Sequence, residues 1–348
     1  MASRLVECVP NISEGRDLEK IEAIVSAARS VSGCFVLGVE PDHDYHRTVI
    51  TLAGEPEPVR DGAIALIIRS IELLDMRHHQ GEHPRLGVVD VCPFVPLKGI
   101  TMDECAELAR EVVNIVASQT NAPLFLYGEA ATHPDRTLLS TLRKAEYEGL
   151  EARLSNKETA HEESTRLPDS GTTSWNEISA KSGGITVGAR TILVAYNVNV
   201  DEKDGGVAKK MGSLLRSSGR LIKEENGSRM RIPGVLPMVQ GMGVTLEEMG
   251  ISQVSMNLRD VHQCPLHMAF KACESIAKDH ATNLLGSEIV GLVPLEAMKV
   301  AGKYFSPNAD RDEDLVNAAI DGLGLRERHE FDPHSGIIEW AILKEVNQ

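Results

Sequence analysis

Two apolar, β-branched runs at 34–39 and 48–52 stand only eight residues apart. A parallel crossover needs a dozen or more residues, so these two strands have to pair antiparallel. That constraint disfavours an all-parallel sheet, although helical segments flank the pair on both sides. Upstream lie a strand candidate at 5–9, stopped by Pro10-Asn11, and a helix at 17–30. The helix places Leu18, Ile21, Ile24, Val25 and Ala28 at helical spacing. Downstream follow a helix at 58–74 and a strand at 86–91. A second helix, 101–118, opens with the capping box Thr101-Met-Asp-Glu104, and a strand at 124–127 comes next.

The same order returns after residue 190. Strands at 191–196, 237–246, 253–257 and 288–292 alternate with helices at 201–217, 265–278 and 295–304. Asn197-Val-Asn199 at the end of the first of these strands echoes Asn11 in the first half. Two successive split β-α-β units predict an α/β (α+β) fold of two duplicated, ferredoxin-like subdomains. Each is expected to carry a mixed or antiparallel sheet covered by helices. Residues 151–184 are polar and without periodicity, and read as a linker or long functional loop. The expected division is 1–182, 183–334 and a C-terminal tail at 335–348.

The net charge of −15 argues against a nucleic-acid partner, which normally meets a basic footprint. The six cysteines are scattered and form no CxxC pair, and no apolar run reaches the ~18–20 residues of a membrane span. The start, Met1-Ala-Ser-Arg-Leu-Val, has no apolar core of a signal peptide. The expectation is a cytoplasmic chain with reduced thiols and no membrane partner.

Three stretches carry chemistry. The densest is 76–87, with His78, His79, Glu82, His83, Arg77 and Arg85 placed just before a strand. Its His79-Gln-Gly-Glu-His83 matches H-x-x-E-H, a zinc signature that needs a helix to project both imidazoles from one face. Gly81 and Pro84 oppose that helix, so no metal site is expected. The second stretch is Glu40-Pro-Asp-His-Asp-Tyr-His-Arg47, where Arg47 can grip a carboxylate bidentately. The third runs from Gly171 to Gly184 and offers backbone N–H groups and hydroxyls to an anionic ligand. Cys92 reads as a core thiol, and Arg229-Met-Arg231 and 310–314 as solvated charge runs.

Several segments resemble the glutamate formimidoyltransferase family. They include Leu5-Val-Glu-Cys-Val-Pro-Asn-Ile-Ser-Glu-Gly15, Gly81-Glu-His-Pro-Arg-Leu-Gly-Val-Val-Asp-Val-Cys-Pro-Phe94, Tyr127-Gly-Glu-Ala-Ala131 and Val290-Gly-Leu-Val-Pro-Leu295. The likeness covers roughly residues 4–305. It implies substrates held in a groove between two subdomains, and a homodimer. It puts the catalytic histidine on His83 and a folate-binding stretch on Gly171, Thr172, Thr173, Ser174, Ser182, Gly183 and Gly184. Animal members carry a fused cyclodeaminase. This chain, ending at Gln348, is expected to be a form without it, served by a separate cyclodeaminase.

The activity so implied moves the formimino group of N-formimino-L-glutamate to tetrahydrofolate as co-substrate. His83 would act as general acid/base, oriented by Glu82 or Asp90. Substrate contacts are expected from Glu40, Arg47, Asn11 and Arg85. A folate-dependent glutamate formyltransferase is the rival enzyme reading. A zinc metallopeptidase-like protein and a non-catalytic folate-binding protein are the rivals from other classes.

Overall fold

The computed structural model describes residues 4–346 apart from 44, 82–83, 158–159, 224–226 and 329. Contacts divide the chain into two compact units, 1–191 and 192–348.

In the first unit, β1 (Leu5–Cys8) and β2 (Asn11–Ile12) form one strand interrupted at Val9-Pro10. Helix α1 (Leu18–Arg29) follows, with Asp17 accepting the Lys20 N–H as its N-cap. Strands β3 (Cys34–Asp42) and β4 (Arg47–Gly54) pair antiparallel, as their spacing requires. Both are longer than their apolar cores suggest, so the expected loop 40–47 shrinks to the short connection between Asp42 and Arg47. Then come α2 (Pro56–Leu73), β5 (Val89–Lys98), α3 (Met102–Thr120) with its capping box in place, β6 (Leu124–Gly128), α4 (Glu177–Ser182) and β7 (Ile185–Ala189).

The sheet order is β3-β4-β1/β2-β5-β7-β6. Its first four positions are the antiparallel ferredoxin-like order, and β7 and β6 extend it in parallel. Helices α1, α2 and α3 bury one face against Ile12, Ile50, Leu52 and Phe94. By strand alternation, Glu7, Asn11 and Val49 belong to the opposite face. There a smaller apolar cluster forms from Leu86, Val91, Phe125, Tyr127, Leu142, Leu150 and Leu154.

Two expectations shift here. Strand β5 begins three residues later than the 86–91 reading and runs on through Pro93 and Pro96. Prolines argue against a central strand because they cannot donate to the ladder. Here Pro93 still contributes its carbonyl, which accepts the Val9 N–H at 3.1 Å. The stretch 151–184 is no linker. It holds short helices and buried Arg153, Arg166, Thr172, Ser179 and Ser182. Arg153 donates to the carbonyls of Arg166 (2.8 Å), Leu142 (3.0 Å) and Thr165 (3.2 Å), and its guanidinium lies 4.4 Å over the Phe125 ring. Side chain-to-carbonyl bonds replace apolar periodicity there, which is why the pattern was silent. They and β7 place 183–191 in the first unit, beyond the sequence boundary at 182/183.

In the second unit, β8 (Val194–Val200) leads to α5 (Gly206–Leu215). The Glu202 carboxylate accepts the N–H groups of Val207 at 2.8 Å and Ala208 at 3.3 Å at that helix start. An exposed hairpin, β9 (Arg220–Lys223) with β10 (Arg229–Ile232), comes next. Strands β11 (Val239–Leu246) and β12 (Ile251–Leu258), helix α6 (Leu266–Asp279) and strand β13 (Leu284–Val290) complete the unit's sheet. Its order is β11-β12-β8-β13, antiparallel throughout, the same ferredoxin-like order again. Helices α7 (Leu295–Phe305), α8 (Asp312–Leu323) and α9 (Ile338–Val346) follow. Within the charge run 310–314, Asp312, Glu313 and Asp314 form the first turn of α8, where the dipole favours carboxylates. Among the described residues no helix is long and apolar enough to cross a membrane.

Candidate functional site

The site grows from a β-bulge. Asn11 stands opposite Val91 and Ile12 opposite Val89, so Asp90 is the extra residue on β5. A bulge bends its strand and re-aims a side chain. Asp90, 2% exposed, accepts the Leu86 N–H at 3.0 Å and the guanidinium of Arg143 through Nε at 3.1 Å and through Nη2. The Thr186 hydroxyl donates to its carbonyl. Around it a small pocket is lined by Asn11, Ile12, Ser13, Tyr45, His46, Arg47, His79, Arg85 and Asp90. Asn11, Arg47 and Arg85, three of the expected substrate contacts, therefore come together. Arg47 Nη1 donates to Asn11 Oδ1 at 3.2 Å. Glu40 lies on the same β3–β4 ladder, opposite Val49, and is exposed.

His46 and His79 stack with ring centroids 4.3 Å apart. Arg85 Nε lies 3.2 Å from His79 Nδ1, and His79 Nε2 lies 2.8 Å from the His46 carbonyl. A guanidinium only donates and a carbonyl only accepts. His79 must therefore be the neutral tautomer with its hydrogen on Nε2. Burial foremost, then the neighbouring His46 and Arg85, hold its pKa below the ordinary 6.5. A ring with both nitrogens so committed is no metal ligand, and 79–81 lie outside any helix. Among the described residues no group of three or more His, Cys, Asp or Glu is arranged to hold a metal ion.

His46 faces acceptors with both nitrogens: the Gln80 carbonyl at 2.7 Å and Glu14 Oε1 at 3.0 Å. Glu14 also accepts the N–H groups of Gly15 (3.0 Å), Arg16 (2.9 Å) and Asp17 (3.0 Å). Burial would raise its pKa, but those backbone donors and His46 outweigh burial and lower it. Gly81 sits so close that a Cβ there would lie 2.5 Å from the Tyr45 carbonyl. The start of the histidine loop is thereby fixed on the β3–β4 turn. Its end is fixed by Arg85, which ion-pairs with Glu148 at 2.5 Å and Glu146 at 3.2 Å. Glu82 and His83 between them lie outside the described residues.

Three site expectations change. Arg85 is 8% exposed and spends its guanidinium on His79, Glu146 and Glu148, so it braces the loop. Asp90, one of the two expected partners of His83, meets Arg143 and the Leu86 N–H. The glycine-rich stretch divides. Ser182 is fully buried, its hydroxyl 2.8 Å from the Ile178 carbonyl. Gly183, at φ +62°, comes so near Leu86 that a Cβ would lie 2.4 Å from the Leu86 carbonyl, and Gly184 packs on Phe125 and Leu86. These three pack against the exit of the histidine loop. Gly171, at φ +84°, abuts the Ala122 carbonyl, and Thr172 is buried with its hydroxyl 2.9 Å from Asn176 Nδ2. Thr173 and Ser174 are exposed.

Sequence reasoning missed Glu14, Glu148 and Arg143, and brought His46 forward only as part of the stretch 40–47. For Glu14 a signal existed, an acid just ahead of a helix N-terminus. Glu148 and Arg143 are brought in by tertiary structure alone. Cys92 is a buried thiol, 3.4 Å from the sulfur of Cys8.

Comparison with known proteins gives a concordant result along the chain. Residues 5–190 match the profile of the formiminotransferase domain, N-terminal subdomain, and residues 195–343 that of the formiminotransferase domain. The chain is 39% identical to the formimidoyltransferase-cyclodeaminase of Dictyostelium discoideum, over 99% of this chain and 61% of that protein. For the rat protein of the same name the figures are 38%, 98% and 60%. The chain thus spans less than two-thirds of these relatives. It is 35% identical to the glutamate formimidoyltransferase of Streptococcus pyogenes serotype M1, over 89% of this chain and 96% of that protein.

Proposed function

Because this chain belongs to the formiminotransferase family, we propose that it transfers the formimino group of N-formimino-L-glutamate to tetrahydrofolate, giving 5-formiminotetrahydrofolate and L-glutamate. The observation that carries this reading is the likeness to a glutamate formimidoyltransferase along 96% of that enzyme. The polar pocket at the base of the histidine loop supports it.

The folate amine attacks the formimino carbon and forms a tetrahedral intermediate. The attacking nitrogen loses a proton and the glutamate nitrogen gains one as its bond to that carbon breaks. His83, with Glu82 beside it in sequence, takes and returns that proton. Neutral His79, buried and pinned by Arg85, does not compete for this role. Arg47, braced by Asn11, holds a carboxylate of the donor. Glu40, exposed on the neighbouring strand, contacts the glutamyl part. Thr173 and Ser174 remain as the accessible folate contacts, with Gly171 and Thr172 shaping their loop. In the cell the protein works as a cytoplasmic homodimer and hands its product to a cyclodeaminase.

The test is turnover of formiminoglutamate with tetrahydrofolate, read as free glutamate, beside the same assay with the formyl donor. Preference for the formyl donor would replace the reading by a formyltransferase, and folate binding without any turnover would make the chain a binding protein. His83→Ala is expected to fold and to lose about 10²–10⁴-fold in kcat. Near-normal kcat in that variant would end the His83 assignment.

A further inference from the structure

The proposed donor carries two carboxylates, α and γ, and transfer alters neither. Both are therefore handles by which the protein can hold the donor still while its nitrogen reacts. Arg47 serves one. Arg85, the other arginine expected from sequence, is consumed by the loop brace. One carboxylate is left without a cation.

Arg143 is the cation paired with Asp90, which itself lines the pocket. It follows the helical turn Leu139–Leu142 and its side chain is 18% exposed. Its Nε and Nη2 meet the two oxygens of Asp90 side-on. A guanidinium has five N–H donors in one plane. The side-on pair uses two of them and leaves the end-on edge, with an N–H from each terminal nitrogen, in the geometry that grips a carboxylate bidentately. Among the described residues no hydrogen bond ends on Nη1 of Arg143.

The mount is rigid. Asp90 is 2% exposed, tied to the Leu86 N–H and set in the bulge opposite Asn11. Asp90 also lines the pocket with Asn11 and Arg47. Burial raises the Asp90 pKa, and Arg143 first, then the Leu86 N–H and Arg47, oppose that rise. Burial likewise lowers the Arg47 pKa. Asp42 and Asp90 counter this, while Arg143 adds to it, so the two guanidiniums feel each other. Asp90 thus faces two cations, Arg143 and Arg47.

We propose that Arg143 is a second carboxylate-binding residue, gripping one carboxylate of the donor through its end-on edge while Arg47 takes the other. This rests on the formimino-transfer reading and deepens it by naming a second residue that holds the donor.

Two variants test it. Arg143→Lys keeps a cation against Asp90 but loses the fork. Arg143→Gln with Asp90→Asn removes the pair without stranding a buried carboxylate, and so guards against a folding failure. For each, far-UV circular dichroism checks the fold. Initial rates then give KM for formiminoglutamate and for tetrahydrofolate separately. Calorimetry compares L-glutamate with L-glutamine, which has one carboxylate fewer. The expected result is a rise of about tenfold or more in donor KM, the size of one lost charge-assisted hydrogen bond. The folate KM should stay unchanged, and glutamate, which carries both carboxylates, should bind more weakly by the same factor. A folded Arg143→Lys protein with unaltered donor KM and unaltered glutamate affinity overturns the proposal. If the wild-type protein binds glutamate with Arg143-dependent affinity but turns over no formiminoglutamate, the function reading fails and the binding residue stands.

Discussion

The two units share one strand order but differ in what they do with the sheet's first strand. In the first, Asn11 sits beside a bulge and binds Arg47, with Asp90 and Arg143 next to it. In the second, Asn199 on β8 is fully buried and donates to Glu288 at 2.7 Å, while Gln253 donates to Asn199 at 2.9 Å. The same strand therefore supports a cation-rich site in one unit and an amide–carboxylate cluster in the other. The scaffold sets where a polar cluster can form. The residues added around it decide its charge, as expected when function is grafted on a fold. In the first unit one of those additions, Arg143, comes from outside the ferredoxin-like core of the sheet.

The largest effect expected from breaking this contrast is at Arg136. It is 3% exposed and holds Asp169 together with the carbonyls of Thr165 and Leu167. Arg136→Ala leaves Asp169 buried without its cation and should cost about 3–5 kcal/mol, read by urea unfolding. A loss under 1 kcal/mol would mean that 136–184 is an appendage and no part of the first unit's core.

Asn199→Ala should cost about 1–3 kcal/mol, because Glu288 loses a donor in a buried cluster. Its mirror, Asn11→Ala, should do less to stability and more to donor KM, since it frees Arg47 to move. Equal effects of the two on KM would erase the distinction between the clusters.

The smallest effect concerns pH. The folded pKa of His79 lies below its unfolded value near 6.5, because the buried ring stays neutral. Its contribution is complete above the unfolded pKa and is lost as pH falls through the folded pKa. The melting temperature should therefore drop between pH 7.5 and pH 5.5, and His79→Gln should drop less over that interval. Glu14, with its lowered pKa, acts in the same sense at lower pH, so its contribution fades only below the ordinary carboxylate range.

Local pattern determined much of this molecule. The eight-residue gap forced β3 against β4. Apolar spacing drew α1 and α2, Pro265 marked the start of α6, and Thr101 with Glu104 that of α3. These signals are local because periodicity, capping and chain reach act over a few residues. The same logic argued the H-x-x-E-H segment away from zinc, through Gly81 and Pro84. The hairpin β9–β10 and strand β7 escaped, being four or five residues long with no alternation to count.

At the site, the sequence by itself brought forward Asn11, Arg47 and the histidine loop. It could not say which cations are spent on the protein's own carboxylates. Arg85 and Arg143 look alike in one dimension. Only the tertiary structure pairs Arg85 with Glu148 and His79, and turns Arg143 side-on to Asp90 with one edge left over. The reason is physical: hydrogen bonds are made between neighbours in space, and a guanidinium's remaining donors are known only once its partners, 53 and 63 residues away, have been placed.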